Sequence, residues 1–400
     1  MIRVGALATA LSLIWSGVTS QYILADDSEP GLKPTEIVIG SCAPLTGPTG
    51  AIGHDLVSGA QAYLDYVNDS GGVHGRKIVL VSADDGVDPG EAPVCYRKVI
   101  SRPAFAIAFV VGTQTALRLV PLADRDKIPV VGLAAGAEAL SDPVRRDIFY
   151  VRASYVTETH QIIDRVWSDL QMHSIGVIYP DDPFGASVLE SATSSIQSHG
   201  GALAAASSYT RMGTSFDRTT SVVRKAGAQA VLVVGPYGTV ASIIRHCHLQ
   251  GWHPIFLTLS YVGTDEFIGI AGDDAEGVVI TQVVPPSYET SLPAVALYHK
   301  YLAKYQPDAK PTFAGLEGFV QAVVLVEGIK RAGHDITRAK LAQALESLRN
   351  FDLGIGSGEK LNYSATDHQG LATVIPTVVR GGRAVAFNDW SILKANSAEK

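Results

Sequence analysis

Basic residues are in short supply: 32 Lys and Arg stand against 39 Asp and Glu in 400 residues, for a net charge of -7. The Lys and Arg are scattered, so the chain lacks the basic stripe that nucleic-acid binding needs. Charge of either sign is limited to 18% of residues, while hydrophobic residues make up 46% and recur in short blocks. That balance excludes a disordered chain and supplies enough apolar surface to fold without metal or disulfide staples. Several chemical signatures are also missing. There is no Gly-x-x-x-x-Gly-Lys phosphate loop and no Gly-x-Gly-x-x-Gly turn after the first strand, so nucleotide binding lacks its backbone cradle. No Gly-x-Ser-x-Gly nucleophile elbow occurs. What remains is a chain too long for one core and about right for two.

The first residues, Met1-Ile2-Arg3, precede an apolar stretch over 4–18 and then small and polar residues. This is the pattern of a secretory signal peptide, too short for a membrane span. Cleavage is expected after Ala25, with Ser20 as the alternative, and no cysteine lies nearby to carry a lipid. A soluble periplasmic protein follows. Cysteine is scarce, with Cys42, Cys95 and Cys247 only. An odd number in an oxidising compartment excludes a disulfide framework. Buried unpaired thiols are the expected state of Cys42 and Cys95, a bridge between them being the alternative.

Hydrophobic spacing predicts strands over 37–42 and 78–83 around a helix over 56–67, then a helix over 90–100, a strand over 106–111, a helix over 115–126 and a strand over 129–133. A second series begins near Ser174. Its strands are expected over 175–179, 203–208, 230–234 and 255–259, its helices over 185–199, 216–226 and 239–250. A strand over 277–284 and helices over 293–305, 313–332 and 337–348 follow, and the segment from Gly354 is rich in glycine and β-formers. Alternating strands and helices imply α/β architecture with parallel sheets, here twice. Ligands in such sheets sit beyond the carboxyl ends of the strands, where strand order reverses. The residues to examine are therefore 44–53, 112–117, 134–138, 181–185, 235–238 and 260–263. Two other clusters have plainer readings. His246-Cys247-His248 has the wrong spacing for a helical metal site. The pairs Asp84-Asp85 and Asp181-Asp182 sit where carboxylates cap helices or brace turns.

Two runs are more specific: Ala43-Pro44-Leu45-Thr46-Gly47-Pro48, and 68–89 with Gly71-Gly72-Val73-His74-Gly75-Arg76-Lys77 and Asp84-Asp85. With Ile128-Pro129, Tyr179-Pro180-Asp181-Asp182-Pro183-Phe184-Gly185, Phe216 and Ala275-Glu276-Gly277-Val278, they resemble the periplasmic branched-chain amino-acid-binding proteins across roughly Thr35 to Asp389. The resemblance implies two Rossmann-like lobes, the type I periplasmic binding protein fold, joined by three crossings around a ligand cleft. Lobe 1 would be 35–153 plus 285–353, and lobe 2 would be 154–284 plus 354–400. It also implies a monomeric, non-enzymatic receptor without cofactor, closing on a solute for the permease of an ABC importer.

In amino-acid receptors of this family, hydroxyls of the first lobe clamp the ligand carboxylate and ammonium. The matching positions here are Ala116 and Gly136. Thr115 can supply a hydroxyl instead, and a one-residue slip would put it on the clamp position. Backbone N–H groups of Thr115, Ala116, Ala135 and Gly136, near helix starts, can still hold an anionic oxygen, and Gln114 and Ala134 beside them join the candidate ligand-binding residues. Where the family has an acidic residue for the ammonium, this chain has Ser260, and its aromatic positions read Ile52, Phe184 and Tyr237. A buried ammonium without a charge partner costs several kcal/mol. The expected solute is thus a small hydrophobic or aromatic carboxylate against a wall of Ile52, Phe184, Tyr237, Tyr155 and Tyr261. The alternatives are a receptor for branched-chain amino acids, amides or urea, a sensory module of the same fold, and a hydrolase using Ser260, His160 or an Asp pair.

Overall fold

The structure is a computed structural model that describes residues 29–397 apart from 212, 214 and 357. The expected signal peptide, 1–25, lies outside the described residues. No described helix is long and apolar enough to cross a membrane.

The first sheet grows from β1 (Glu36–Ala43), α1 (Gly50–Asp69), β2 (Lys77–Asp84), α2 (Ala92–Ser101), β3 (Ala106–Val111), α3 (Thr113–Arg125), β4 (Val130–Ala134), α4 (Glu138–Ser141) and β5 (Ile148–Phe149). Its order is β2-β1-β3-β4-β5, all parallel. β3 and β4 are buried at every position, as strands covered by helices on both faces must be. The second sheet follows through α5 (Tyr155–Ser168), β6 (Ile175–Pro180), α6 (Pro183–Ser198), β7 (Ala205–Tyr209), α7 (Asp217–Lys225), β8 (Ala230–Val233), α8 (Tyr237–Leu249), β9 (Ile255–Thr258), α9 (Thr264–Ala271) and β10 (Val279–Gln282). The chain then returns to the first sheet with α10 (Pro293–Tyr305), α11 (Phe313–Ala332) and α12 (Arg338–Glu346). It ends on the second with β11 (Ile375–Arg380), β12 (Arg383–Ala386) and α13 (Ile392–Ser397). That sheet runs β12-β11-β10-β9-β8-β6-β7, parallel from β7 to β10 and antiparallel at β11 and β12.

Both sheets therefore share one winding. In each, the first strand lies between the second and the third, so strand order reverses between β1 and β3 and again between β6 and β8. The loops after these four strands form the two halves of a cleft. The α1–α11 contact secures the first half: a Cβ on Gly59 would stand 1.8 Å from the Gly315 carbonyl oxygen, so only glycine lets the two backbones approach.

Several expectations need correction. Helix α1 starts at Gly50, six residues before the spacing signal, because Gly53 packs directly on the Pro44 carbonyl, a tertiary contact that periodicity does not record. Helices α5 and α9 were not anticipated; α5 is started by Ser154, whose hydroxyl accepts from the Thr157 N–H at 3.1 Å. Cys42 and Cys95 are bonded to each other rather than left as thiols, since the end of β1 and the first turn of α2 bring their Cα atoms to 6.0 Å. Cys247 is free and buried.

Candidate functional site

The twelve residues singled out by the sequence all fall at carboxyl ends of strands or at the helix starts that follow. Ile52 lies in the first turn of α1, Gln114, Thr115 and Ala116 in that of α3, and Phe184 in that of α6. Tyr155 opens α5 and Tyr237 opens α8; Ala134 ends β4, with Ala135 and Gly136 just beyond it. Ser260 and Tyr261 form a 3-10 turn after β9.

Three of the aromatics meet. The rings of Tyr155 and Phe184 are 5.0 Å apart, and those of Phe184 and Tyr261 4.9 Å apart in an edge-on arrangement. All three are buried, at 0%, 2% and 4% exposure, which makes them one continuous aromatic surface between the sheets. Gly136 makes room for it: a Cβ there would lie 2.7 Å from the Tyr155 nitrogen and 3.0 Å from its ring. The Tyr155 N–H donates to the Gly136 carbonyl at 2.7 Å. Where the resemblance led one to look for a clamping hydroxyl, this chain has a glycine with a tyrosine packed on it.

The remaining positions divide. Ile52, Ala134, Ser260 and Tyr261 line one cavity together with Arg152 and Phe313. Ile52 comes from the first sheet and packs against Gly263 of the second, where a Cβ would be 2.8 Å from its side chain. Tyr237 stands at the edge beside Gly263 and is partly exposed. Ala135 and Gly136 face a separate small pocket with Tyr150 and Arg152.

Ser260 belongs to a network that sequence reasoning missed. Arg152, fully enclosed, donates to Glu158 Oε1 at 2.6 Å, to Ser260 Oγ at 2.5 Å and to Glu317 Oε1 at 3.4 Å. The Ser260 hydroxyl donates to Glu158 Oε1 at 3.0 Å, and its backbone N–H to Glu158 Oε2 at 3.0 Å. Thr281 adds a bond to Glu158 Oε2 at 2.6 Å. Burial alone would lower the Arg152 pKa, but the carboxylates of Glu317 and Glu158 hold it above its usual value. Burial raises the Glu317 carboxyl against the pull of Arg152. The network ties the end of the first chain crossing to α5, α11 and the turn after β9.

The carboxylate pairs do brace turns. Asp84 accepts from the Leu45 N–H at 2.8 Å and from the Thr46 hydroxyl at 2.5 Å, and Asp182 caps α6 while pairing with Arg211. Asp85 Oδ1 accepts from the Val87 N–H at 2.8 Å. A further acidic group, Asp55 of α1 with Asp265 and Glu266 of α9, lies where the two halves touch; Asp265 accepts from the Phe313 N–H at 2.9 Å. In the helical run, His246 turns to Asp217 and Gln250 and His248 to Asp274, away from one another, with Cys247 in the core. Among the described residues no group of three or more His, Cys, Asp or Glu is arranged so that it could hold a metal ion.

The model of a family described as periplasmic binding protein matches residues 36–383. Similar proteins include Leu/Ile/Val-binding protein homolog 3 of Brucella melitensis, 25% identical over 338 residues, covering 83% of this chain and 88% of that one. A leucine-, isoleucine-, valine-, threonine- and alanine-binding protein of Pseudomonas aeruginosa is also 25% identical, covering 83% and 89%. Among solved structures, a possible leucine/isoleucine/valine-binding protein of Rhodopirellula baltica superposes with a TM-score of 0.84 at 27% identity, covering 90% of this chain and 98% of that one.

Proposed function

The chain belongs to the periplasmic binding protein family, of the branched-chain amino-acid-binding type, and on that premise we propose that it is the solute receptor of an ABC importer, taking a small hydrophobic or aromatic carboxylate. In this reading the segment 1–25 is removed on export, and the monomeric mature protein works in the periplasm that its family implies. The lobes, 35–153 with 285–353 and 154–284 with 354–400, close on the solute, and the closed form is what the permease subunits recognise.

The observation that carries the reading is the buried aromatic surface of Tyr155, Phe184 and Tyr261 at the switch points of two like-wound sheets. Ligand sites favour that place and that lining. The N–H groups opening α3 suit a carboxylate, since the partial positive charge of a helix start attracts an anion. A binding role needs no nucleophile. Ser260, the one hydroxyl a hydrolase reading would use, already bonds Glu158 and Arg152.

A thermal-shift screen of the mature protein against amino acids, amides, and aliphatic and aromatic carboxylates tests the reading, because a ligand that binds only the folded state raises Tm. A shift with carboxylates is expected, and Tyr237→Ala should weaken it by more than about tenfold, or ~1.4 kcal/mol, with the solute-free Tm within a few degrees. An unchanged affinity in Tyr237→Ala would remove Tyr237 from the site. No shift with any member of the screen would overturn the ligand class.

A further inference from the structure

Two helices that cover the first sheet face each other through tyrosines. Tyr63 and Tyr66 lie one turn apart on α1, and Tyr301 and Tyr305 one turn apart on α10, so each helix presents a tyrosine stripe to the other. Phe319 of α11 packs beneath them, edge-on to Tyr63 at 5.1 Å and 6.3 Å from Tyr301. The four phenols are not equivalent. The rings of Tyr63 and Tyr66 are 6.0 Å apart and tilted by 46°, and those of Tyr301 and Tyr305 are 6.5 Å apart and tilted by 54°. Tyr66 and Tyr301 instead stack, with ring centres 4.0 Å apart and planes within 12°. Their hydroxyls also face each other. Parallel rings with the hydroxyls at the same end set the carbons ortho to one oxygen against those of the other.

The surroundings favour oxidation at one member of the pair. Tyr66 is partly exposed, whereas Tyr301 is 6% exposed. The hydrogen bond from Tyr301, with the charges of Lys330 and Lys300, holds the Tyr66 phenol below its usual range, while burial and then the contact with Tyr66 raise Tyr301. Lys300 Nζ lies 5.7 Å from the centre of the Tyr301 ring. A phenolate gives up an electron more readily than a phenol, so oxidation starts at Tyr66, and Tyr301 passes its electron out through the ring stacked on it. The outer tyrosines differ. The Tyr305 hydroxyl donates to Asp69 at 2.8 Å, which keeps its proton in place. Burial pushes the Tyr63 phenol up to about 12.

We propose that Tyr66 and Tyr301 form an oxidative cross-linking site, at which a peroxidase-type oxidant working with hydrogen peroxide joins the two rings through carbons ortho to their oxygens. Each phenol loses one electron and one proton, and the peroxide takes up both electrons and both protons to become two waters. The two tyrosyl radicals pair in one carbon–carbon bond. The hydrogens on the joined carbons then move to the oxygens and restore both phenols. Stacking supplies the selectivity, because partners held in reacting geometry couple far faster than partners that must reorient. The product staples α1 to α10. It does so in the last turn of α1, at the opposite end of that helix from Ile52, so the cleft is left as it was.

Treating dilute mature protein with a heme peroxidase and hydrogen peroxide tests the site. The expected result is the blue fluorescence of dityrosine in protein that still migrates as a single chain, with mass spectrometry of a digest showing the peptides of Tyr66 and Tyr301 joined with the loss of two hydrogens. Tyr66→Phe and Tyr301→Phe keep the ring packing, and each should abolish the fluorescence. Tyr63→Phe and Tyr305→Phe should leave it in place. The cross-linked fraction should also melt at a higher temperature, because a bond between distant residues restricts the unfolded chain. Fluorescence that survives Tyr66→Phe, joined peptides other than this pair, or a bond between two copies of the chain would overturn the assignment. So would the absence of any cross-link under conditions that couple free N-acetyltyrosine.

Discussion

Two buried polar clusters lie against each other between the sheets, with the Arg152 guanidinium 5.5 Å from the centre of the Tyr155 ring, and they are built in opposite ways. Around Glu158 both carboxylate oxygens are used, Oε1 by Arg152 and Ser260 and Oε2 by the Ser260 N–H and Thr281. Around Asp85 five polar atoms are unused, its own Oδ2, Thr113 Oγ1, Thr115 Oγ1 and the hydroxyls of Tyr155 and Tyr261. A satisfied network fixes geometry, whereas an unsatisfied one is stable only in company. The first cluster therefore reads as the joint that holds the chain crossing in place, and the second has no such internal satisfaction.

The comparison breaks most visibly at Arg152. Removing one partner of a buried ion pair strands the other, at a cost of about 3–5 kcal/mol. Arg152→Met leaves Glu158 and Glu317 without their cation, so urea unfolding should record a loss of that size. A loss no larger than that of an exposed pair, ~1 kcal/mol or less, would show that the network is not a structural joint.

The same contrast shows what a sequence can reveal. Helices over 293–305 and 313–332 were legible to the residue, because apolar spacing and flanking Pro or Thr mark their ends. Phe184 and Tyr261 were placed by sequence as well, since each sits next to a strand end that hydrophobic pattern locates, whereas Tyr155 follows the short strand β5, which the pattern did not mark. The Arg152 network was not. Its partners stand 6, 108 and 165 residues away, and nothing local to any of them signals the others. Asp85 was half legible. The turn explains one of its oxygens, which accepts from the Val87 N–H, and the approach of Tyr261 from the second sheet has no local signal. Cys42 and Cys95 likewise needed the approach of α2 to β1 before pairing could be decided.

A third, half-buried cluster sharpens the comparison because its carboxyls come from Asp55, Asp265 and Glu266. Burial pushes Glu266 up to about 8 and Asp265 up to about 6, and Asp55, beside Glu266, is raised too, first by burial. A carboxyl whose folded pKa is raised binds its proton more tightly in the folded state. Its contribution is full below the ordinary carboxylate range and is lost as pH rises through the folded value, here toward about 8 for Glu266. Removing that proton dependence with Glu266→Gln should make the variant increasingly stable relative to the parent from pH 5 to pH 9. Melting curves of the two proteins across that range measure the difference directly. A difference that stays flat would mean that Asp55 and Glu266 do not share the environment their contact implies.

The smallest effect is the most discriminating, because it separates the two clusters at a single atom. Ser260 stands where the family resemblance points to a ligand contact, yet its hydroxyl is spent between Arg152 and Glu158. Arg152 and Glu158 keep their other bonds in Ser260→Ala, so the stability loss should be that of the two hydrogen bonds the hydroxyl makes, about 2 kcal/mol. If Ser260 belongs to the joint, solute affinity measured by calorimetry should stay within about twofold, ~0.4 kcal/mol, while Tyr261→Phe, its neighbour in the chain, changes affinity and leaves stability nearly untouched. A large affinity loss in Ser260→Ala would erase the boundary between the clusters and return Ser260 to the ligand. Adjacent residues with opposite phenotypes would place that boundary between Ser260 and Tyr261.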